Sequence, residues 1–399
     1  MPMSHDERVR SFGTKVRLFP QAPNLGGFSE PEVVWLSPPA GTVAAGPADD
    51  RMYVRDATDK QEPYLFPYLP PFYGTVRPPV EPGPDGHFDH IPVGTREFVA
   101  THAYGSIRRV LDIFESYLGG PLQWQFADRF PRLEVIPLID WDNAQSGYGY
   151  MEFGLYRDET GAPAPHALNF DTIAHEFGHS LLFALMGVPF EGRWSPAFGA
   201  FHESSADLVA LLSAMHFDSV LDRLLRSTKG NIYTLNEINR IAELSDTRQI
   251  RLASNSRKMA EVTDEVHDLS RPLTGAIFDA LVYVYVEQLR AQGLISVGLR
   301  EAILSPGKRR DEAEWLQRQF DKAYANRHFQ FKAALMTARD IIGERLTATW
   351  QTLSPNNLSF SDVATAFLTA GNGSDPYRAE FREIFHWREI YEVHSVTSF

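Results

Sequence analysis

Apolar residues recur at helical spacing along "TREFVATHAYGSIRRVLDIFESYLGG", residues 95–120. Phe98, Ala103, Ile107, Val110, Leu111 and Phe114 share a broad face there, and the Gly119-Gly120 pair stops the run. Upstream and just downstream the period changes to two. "EVVWL" at 32–36, "RMYVR" at 51–55, "RLEVIPLI" at 132–139 and "GYGYMEFGLY" at 147–156 read as strands, with Pro137 marking an edge or a bend in the third. Beyond 170 the 3.6-residue period predicts helices near 171–186, 200–216, 218–227, 236–244, 273–290, 311–328, 331–347, 360–370 and 376–391. Gly187 and Pro189 end the first of these. The pattern predicts an α+β fold, with a mixed lobe over 95–186 and a helical lobe over 187–399.

Residues 1–94 stand apart, holding 16 of the 27 prolines. Stretches such as "FPYLPPFYG" cannot form long helices, yet their aromatic content requires a surface to pack on. The expectation is an extended segment wrapped over the rest of the chain, with a regulatory or partner-binding arm as the alternative. The net charge of −13 argues against nucleic acid and against an anionic membrane as partners. The most apolar later run, "AIFDALVYVYV" at 276–286, is short and broken by Asp279, so it reads as a core helix and not as a membrane span. The first twenty residues hold no apolar run of signal-peptide length, which makes a cytoplasmic location the default expectation. The 399 residues contain no cysteine, so any metal must sit on His, Asp or Glu.

One stretch offers such ligands. In "DTIAHEFGHS", 171–180, His175 and His179 are four apart and so lie one turn apart on one helix face. Glu176 lies about 100° round the helix from His175, poorly placed as a ligand but well placed to take a proton from a water beside the ion. Zinc held by two histidines needs a third protein ligand and an open position. "FHESSADLVALLSAM", 201–215, offers Glu203, with Asp207 one turn on to accept the second ring N–H of a ligating histidine. His202 is a rival ligand, but Glu203 makes the better pair with Asp207.

"AHEFGH" followed by "HESSAD" resembles the thermolysin-like gluzincin metallopeptidases, whose pattern is H-E-x-x-H and then E-x-x-x-D on the next helix. The resemblance implies a zinc site in the cleft between two lobes. His175, His179 and Glu203 would be its ligands, Glu176 the general base and Asp207 the carboxylate behind a ligand. "EVHDLSRPLTGAIFDAL", 265–281, is similar to the family segment whose histidine stabilises the oxyanion, which implies that role for His267, with Asp264 and Asp268 as flanking acids that could orient it. "NAQSGYGYMEFG", 143–154, resembles the family's substrate-binding edge strand. There Asn143 and Ala144 would hold a peptide backbone, by side chain and carbonyl respectively. The implied activity is zinc-dependent hydrolysis of peptide or protein substrates.

Three features depart from that family. Its tyrosine upstream of the glutamate ligand is replaced by Trp194, leaving Tyr148 or Tyr150 as possible substitutes. The long propeptide is replaced by 94 proline-rich residues. Calcium ligands are sparse: Asp171 matches one such position, and equally suits a helix start. Two alternatives follow. One is a gluzincin scaffold that binds zinc and a peptide or protein partner with little turnover. The other is a zinc aminopeptidase, in which Glu152 of "GYMEFG" would grip a free amine.

Overall fold

The computed structural model describes residues 5–158, 161–245, 248–371 and 374–390. A short helix α1 (His5–Val9) leads into an antiparallel hairpin of β1 (Gly13–Leu18) and β2 (Glu32–Pro39). Val16, Leu18, Val34 and Leu36 alternate into the core on one face of that hairpin, as a half-buried strand pair requires. β3 (Met52–Val54) then joins a four-stranded sheet of order β3-β4-β6-β5, completed by β4 (Leu133–Ile136), β5 (Ala144–Gly147) and β6 (Tyr150–Phe153). β3 and β6 run parallel to β4, while β5 runs antiparallel to β6 and forms the edge. A small hairpin of β7 (Leu155–Arg157) and β8 (Pro163–Pro165) follows.

Helix α2 (Arg96–Leu118) matches its prediction to within a residue or two. Thr95 caps its start, accepting from Phe98 N, and Gly119 at φ 71° ends it in the left-handed conformation that glycine adopts without strain. Two strand expectations change. β4 is internal and not an edge, because Pro137 falls just beyond its last residue and costs the ladder no donor. "GYGYMEFGLY" is not one strand: the chain turns at Tyr148-Gly149, with Gly149 at φ 90°, so Gly147 closes β5 and Tyr150 opens β6.

The remainder is helical apart from one hairpin. α3 (Phe170–Met186), α4 (Pro196–Ala214) and α5 (Asp218–Thr228) follow the predicted order. The helix expected at 236–244 is absent. Asn236 Oδ1 accepts from Ile238 N and Asn239 N, and Asn239 Oδ1 accepts from Asn236 N; these side chains satisfy the backbone in a turn instead. The chain continues as β9 (Arg240–Ser245), paired antiparallel with β10 (Arg248–Leu252). α6 (Val266–Ala291) starts seven residues before its expected position and runs through Pro272. The single helix expected at 311–328 is α9 (Ala313–Tyr324), preceded by two short helices that the periodicity missed, α7 (Val297–Leu304) and α8 (Pro306–Asp311). α10 (His328–Thr352), α11 (Phe360–Thr369) and α12 (Arg378–Trp387) complete the chain. The last residue of the expected 376–391 helix lies outside the described residues. Among the described residues no helix is long and apolar enough to cross a membrane.

The proline-rich arm contributes Val16, Leu18, Phe19, Leu25 and Phe28 to the same core as α2, α3 and α4. Two polar anchors hold it. Arg109 of α2, fully buried, bonds Asp6 through both terminal nitrogens, at 2.8 and 2.9 Å. On the sheet, Glu134 and Glu152 are also fully buried. Glu134 accepts from the hydroxyls of Tyr53 (2.9 Å) and Tyr64 (2.6 Å) and from Phe72 N. Glu152 meets the Lys60 ammonium at 2.9 Å and accepts from Tyr64 N and from Gln145 Nε2. Burial, with the neighbouring carboxylates, pushes the Tyr64 phenol well above its ordinary range, so it stays a donor.

α3 and α4 cross at a very short distance. A Cβ on Gly178 would sit 2.8 Å from Ala206 Cα and 3.3 Å from Val209 Cβ, so the crossing needs a residue without a side chain. Gly178→Val is expected to force the helices apart, destabilising the fold by about 1–3 kcal/mol, read by urea unfolding. Asp6→Asn, which leaves Arg109 buried without its partner charge, is expected to cost about 3 kcal/mol in the same urea assay; a loss under about 0.5 kcal/mol would contradict this account of the anchor.

Candidate metal centre

α3 begins where Asn169 accepts from the backbone N–H groups of Asp171 (3.1 Å) and Thr172 (3.3 Å). Asn169, not Asp171, is therefore the cap. Ile173, Ala174, Phe177, Leu181 and Leu182 anchor α3 in the core, which leaves His175, Glu176 and His179 on its remaining face. α4 starts with Ser195 Oγ accepting from Phe198 N at 3.1 Å, with Pro196 as its first residue. Glu203 and Asp207 follow one turn apart on α4, and the crossing at Gly178 turns them towards the histidines.

His175 Nε2 lies 3.5 Å from Glu203 Oε2, and His179 Nε2 lies 3.6 Å from Glu203 Oε1. Ligand atoms about 2.0–2.1 Å from a tetrahedral zinc are themselves about 3.4 Å apart, so these separations suit that ion. Among the described residues His175, His179 and Glu203 are the one group of three or more His, Asp or Glu side chains whose ligand atoms converge, all within 4.8 Å of one another. The buried Asp207 carboxylate stands 3.0 Å from His175 Nδ1, which fixes Nε2 as the nitrogen turned to the centre. Burial works to raise the Glu203 carboxyl, but the hydrogen bond and charge of His175 and the charges of His179 and His267 outweigh it and hold the group far below the ordinary carboxylate range. Glu176 is half-buried beside His175. A divalent ion matches this donor set: two imidazoles and one carboxylate, at ligand spacing, with a buried acid behind the first imidazole.

His267, in the first turn of α6, directs Nε2 to within 3.3 Å of Glu203 Oε2 while its side chain stays half-exposed. It is outside the converging group of three. Its partner is not one of the acids expected. Asp268 accepts from Thr263 N and Oγ1 and pairs with Arg271, and Glu265 Oε1 meets His267 Nδ1 at 2.7 Å. The expected helix start at 273 leaves Glu265 outside the helix. With the helix beginning at Val266, Glu265 is its cap, accepting from Asp268 N, and its second oxygen is left for the imidazole. An acid two residues before a histidine that enters a helix was the available signal.

Other expectations resolve against the geometry. The buried His202 ring is packed by Phe183 (4.5 Å) and Phe198 (4.6 Å) and stacks behind His179, outside the converging group. Burial pushes its pKa down to about 3. Asp171 is buried and accepts from Gln21 Nε2; burial pushes its carboxyl up to about 8, and it joins no metal-holding group among the described residues, so nothing at this position favours calcium. Tyr148 packs edge-on against Phe126 and Phe130, and Tyr150 is buried against Tyr64. Trp194, 58% exposed, lies over Gly199, one turn before Glu203, and beside Val266. Ala144 opens the edge strand β5, which packs near α3. Asn143, just before it, is exposed, and its carbonyl accepts from Gly154 N. The Ala144 carbonyl therefore points the other way, out from the sheet edge.

Neither a family model nor a curated protein matches this chain. Among solved structures, a precursor of protealysin, a metalloproteinase from Serratia proteamaculans, is similar over 73% of this chain and 90% of that chain, at 14% identity and a TM-score of 0.39.

Removing the acid behind His175 frees its imidazole to choose the wrong tautomer. Asp207→Ala is expected to lower divalent-ion affinity about 10- to 100-fold, measured by competition with a chromogenic chelator; unchanged affinity would remove Asp207 from the centre.

Proposed function

We propose that this chain is a zinc-dependent peptide-bond hydrolase that cleaves within extended peptide or protein substrates. The observation that carries the reading is the convergence of His175, His179 and Glu203, with Asp207 behind His175 and Glu176 next to it. When bound, zinc would polarise a carbonyl and lower the pKa of a water. Glu176 takes the proton of the attacking water and passes it to the departing amine. His267, held through Nδ1 by Glu265, presents Nε2 as a donor to the oxygen on which charge develops. The outward Ala144 carbonyl on β5 accepts a backbone N–H from an extended substrate, and Asn143 reaches the same chain by its side chain.

A second reading, a zinc-holding scaffold with slow turnover, has one observation in its favour: Trp194 stands where the resembling family has a tyrosine, while Tyr148 and Tyr150 are packed among other aromatic rings. The aminopeptidase reading loses its key residue, because Glu152 is buried and both its oxygens are engaged by Lys60, Tyr64 N and Gln145.

Glu176→Gln is expected to keep one zinc per chain and to lose peptide cleavage about 100- to 10 000-fold, assayed on N-terminally blocked peptides. Wild-type protein that holds zinc but cleaves no blocked or free peptide would favour the scaffold. A Gln variant as active as wild type would overturn the assignment of Glu176.

A further inference from the structure

The arm that covers the outer face of the four-stranded sheet leaves that face at one place. Tyr64 crosses the sheet towards its free edge: its N–H goes to Glu152 of β6 at 2.7 Å, and its carbonyl accepts from Gln145 Nε2 of β5 at 3.1 Å. β5 ends the strand order, so the residues after Tyr64 emerge at the open side of the sheet. They form a turn, closed by Tyr68 N donating to Leu65 O at 2.8 Å. The chain then returns to the sheet, where Leu69 and Phe72 pack with Ile136, Ile139 and Tyr150. The side chains of the turn stay in solvent: Leu65, Phe66 and Tyr68 are 75%, 79% and 77% exposed. Three neighbouring apolar side chains this exposed form a patch of the kind that marks a binding surface.

β5 lies directly beside that patch. Asn143 bonds β6 through its carbonyl, and the two-residue alternation of an antiparallel pair gives Gln145 the same inward direction. Ala144 and Ser146 therefore turn their backbone groups to the open edge. Ala144, its partner Phe153, and Met151 opposite Ser146 belong to the core shared with α3, whereas Gln145 lies on the face that the arm covers. An extended peptide that pairs with Ala144 and Ser146 places one residue opposite Gln145, with its side chain on the arm face. The residues on either side of it point towards α3. The side chain opposite Gln145 thus meets the turn 65–68. Of the charged groups beside this position, Lys60 is paired with Glu152, while Glu62 and Asp142 are exposed acids. Those charges disfavour an acidic side chain there, and Leu65, Phe66 and Tyr68 favour an apolar one.

Resting on the reading of β5 as the substrate edge, we propose that the turn 65–68 is a specificity wall of that edge. It selects substrates with a large apolar residue, aromatic or branched aliphatic, at the single position opposite Gln145. The turn acts on which peptide is held, and not on the bond-breaking groups of α3 and α4.

A randomised library of N-acetylated, C-amidated decapeptides tests this on the full-length, zinc-loaded chain, with the cleavage products sequenced by mass spectrometry. The same library, retained on immobilised Glu176→Gln protein and aligned, reports the preference without turnover. The expected result is about tenfold enrichment of Phe, Tyr, Leu and Ile at one position, falling to about twofold when Leu65→Ser and Phe66→Ser are combined, with the preferences at neighbouring positions kept. Leu65→Phe combined with Phe66→Leu keeps the wall apolar and is expected to retain the enrichment. A pattern identical in the wild type and the serine variant overturns the proposal and leaves the hydrolase standing. Retention with this preference but no cleavage fails the hydrolase and keeps the turn. A library neither cleaved nor retained overturns both. A chain that sediments as a dimer, and turns monomeric with Leu65→Ser and Phe66→Ser, gives the turn to a second copy and also overturns the proposal.

Discussion

The close crossing of α3 and α4 at Gly178 is the contact on which the candidate centre depends. Neither helix holds a complete ligand set. α3 offers two imidazoles and α4 one carboxylate, and only backbones that nearly touch bring Glu203 within ligand distance of both rings. The residues at the crossing are small, Gly178 against Ala206, while those flanking it are large core side chains such as Phe177, Leu181 and Val209. Tight packing of this kind resists drift, so the separation of the three ligands is set by the hydrophobic core and not by the flexible side chains themselves.

Electrostatics then refine what packing sets. The Glu203 carboxylate, largely removed from water, would be costly alone; the imidazoles of His175, His179 and His267 around it make the charged form the stable one. Glu265 extends the same logic outward, binding the one imidazole of the cluster that remains half in solvent. The result is a chain of alternating acids and imidazoles from the buried floor of the centre to its rim. A second buried acid pair, Glu134 and Glu152, serves a different end, holding the arm to the sheet.

The sequence announced the centre through spacing. Two histidines at i and i+4, and an acid pair at the same interval, are periodicities that a helix converts directly into shared faces, and the structure places all four side chains together. Legibility ended where side chains competed with the backbone or where the start of a helix was misjudged. At 236–239, asparagine amides took the backbone hydrogen bonds, and apolar spacing alone gives no sign of that. At α6, the helix expected from 273 begins seven residues earlier, and the partner of His267 is Glu265, not the expected Asp264 or Asp268. His202 and Asp171 show the limit of residue type: both are chemically able to bind a metal, and burial among aromatic rings or beside Gln21 leaves each outside the converging group. Among the strands, the run expected over 147–156 broke where glycine reversed the chain, at Tyr148-Gly149.

The buried glutamates of the sheet carry a consequence for how the molecule comes together. Glu134 and Glu152 lie on β4 and β6, but most of the donors that satisfy them come from Tyr53, Lys60, Tyr64 and Phe72 of the arm. A polypeptide beginning at residue 95 would lack both these donors and the arm residues, such as Ala57, Tyr64, Leu69 and Phe72, that cover this face of the sheet. The proline-rich arm is thus a structural cofactor of the sheet, made early and available before β4 and β6 leave the ribosome. The change of composition at residue 94 marks a boundary of sequence style and not a boundary of folding.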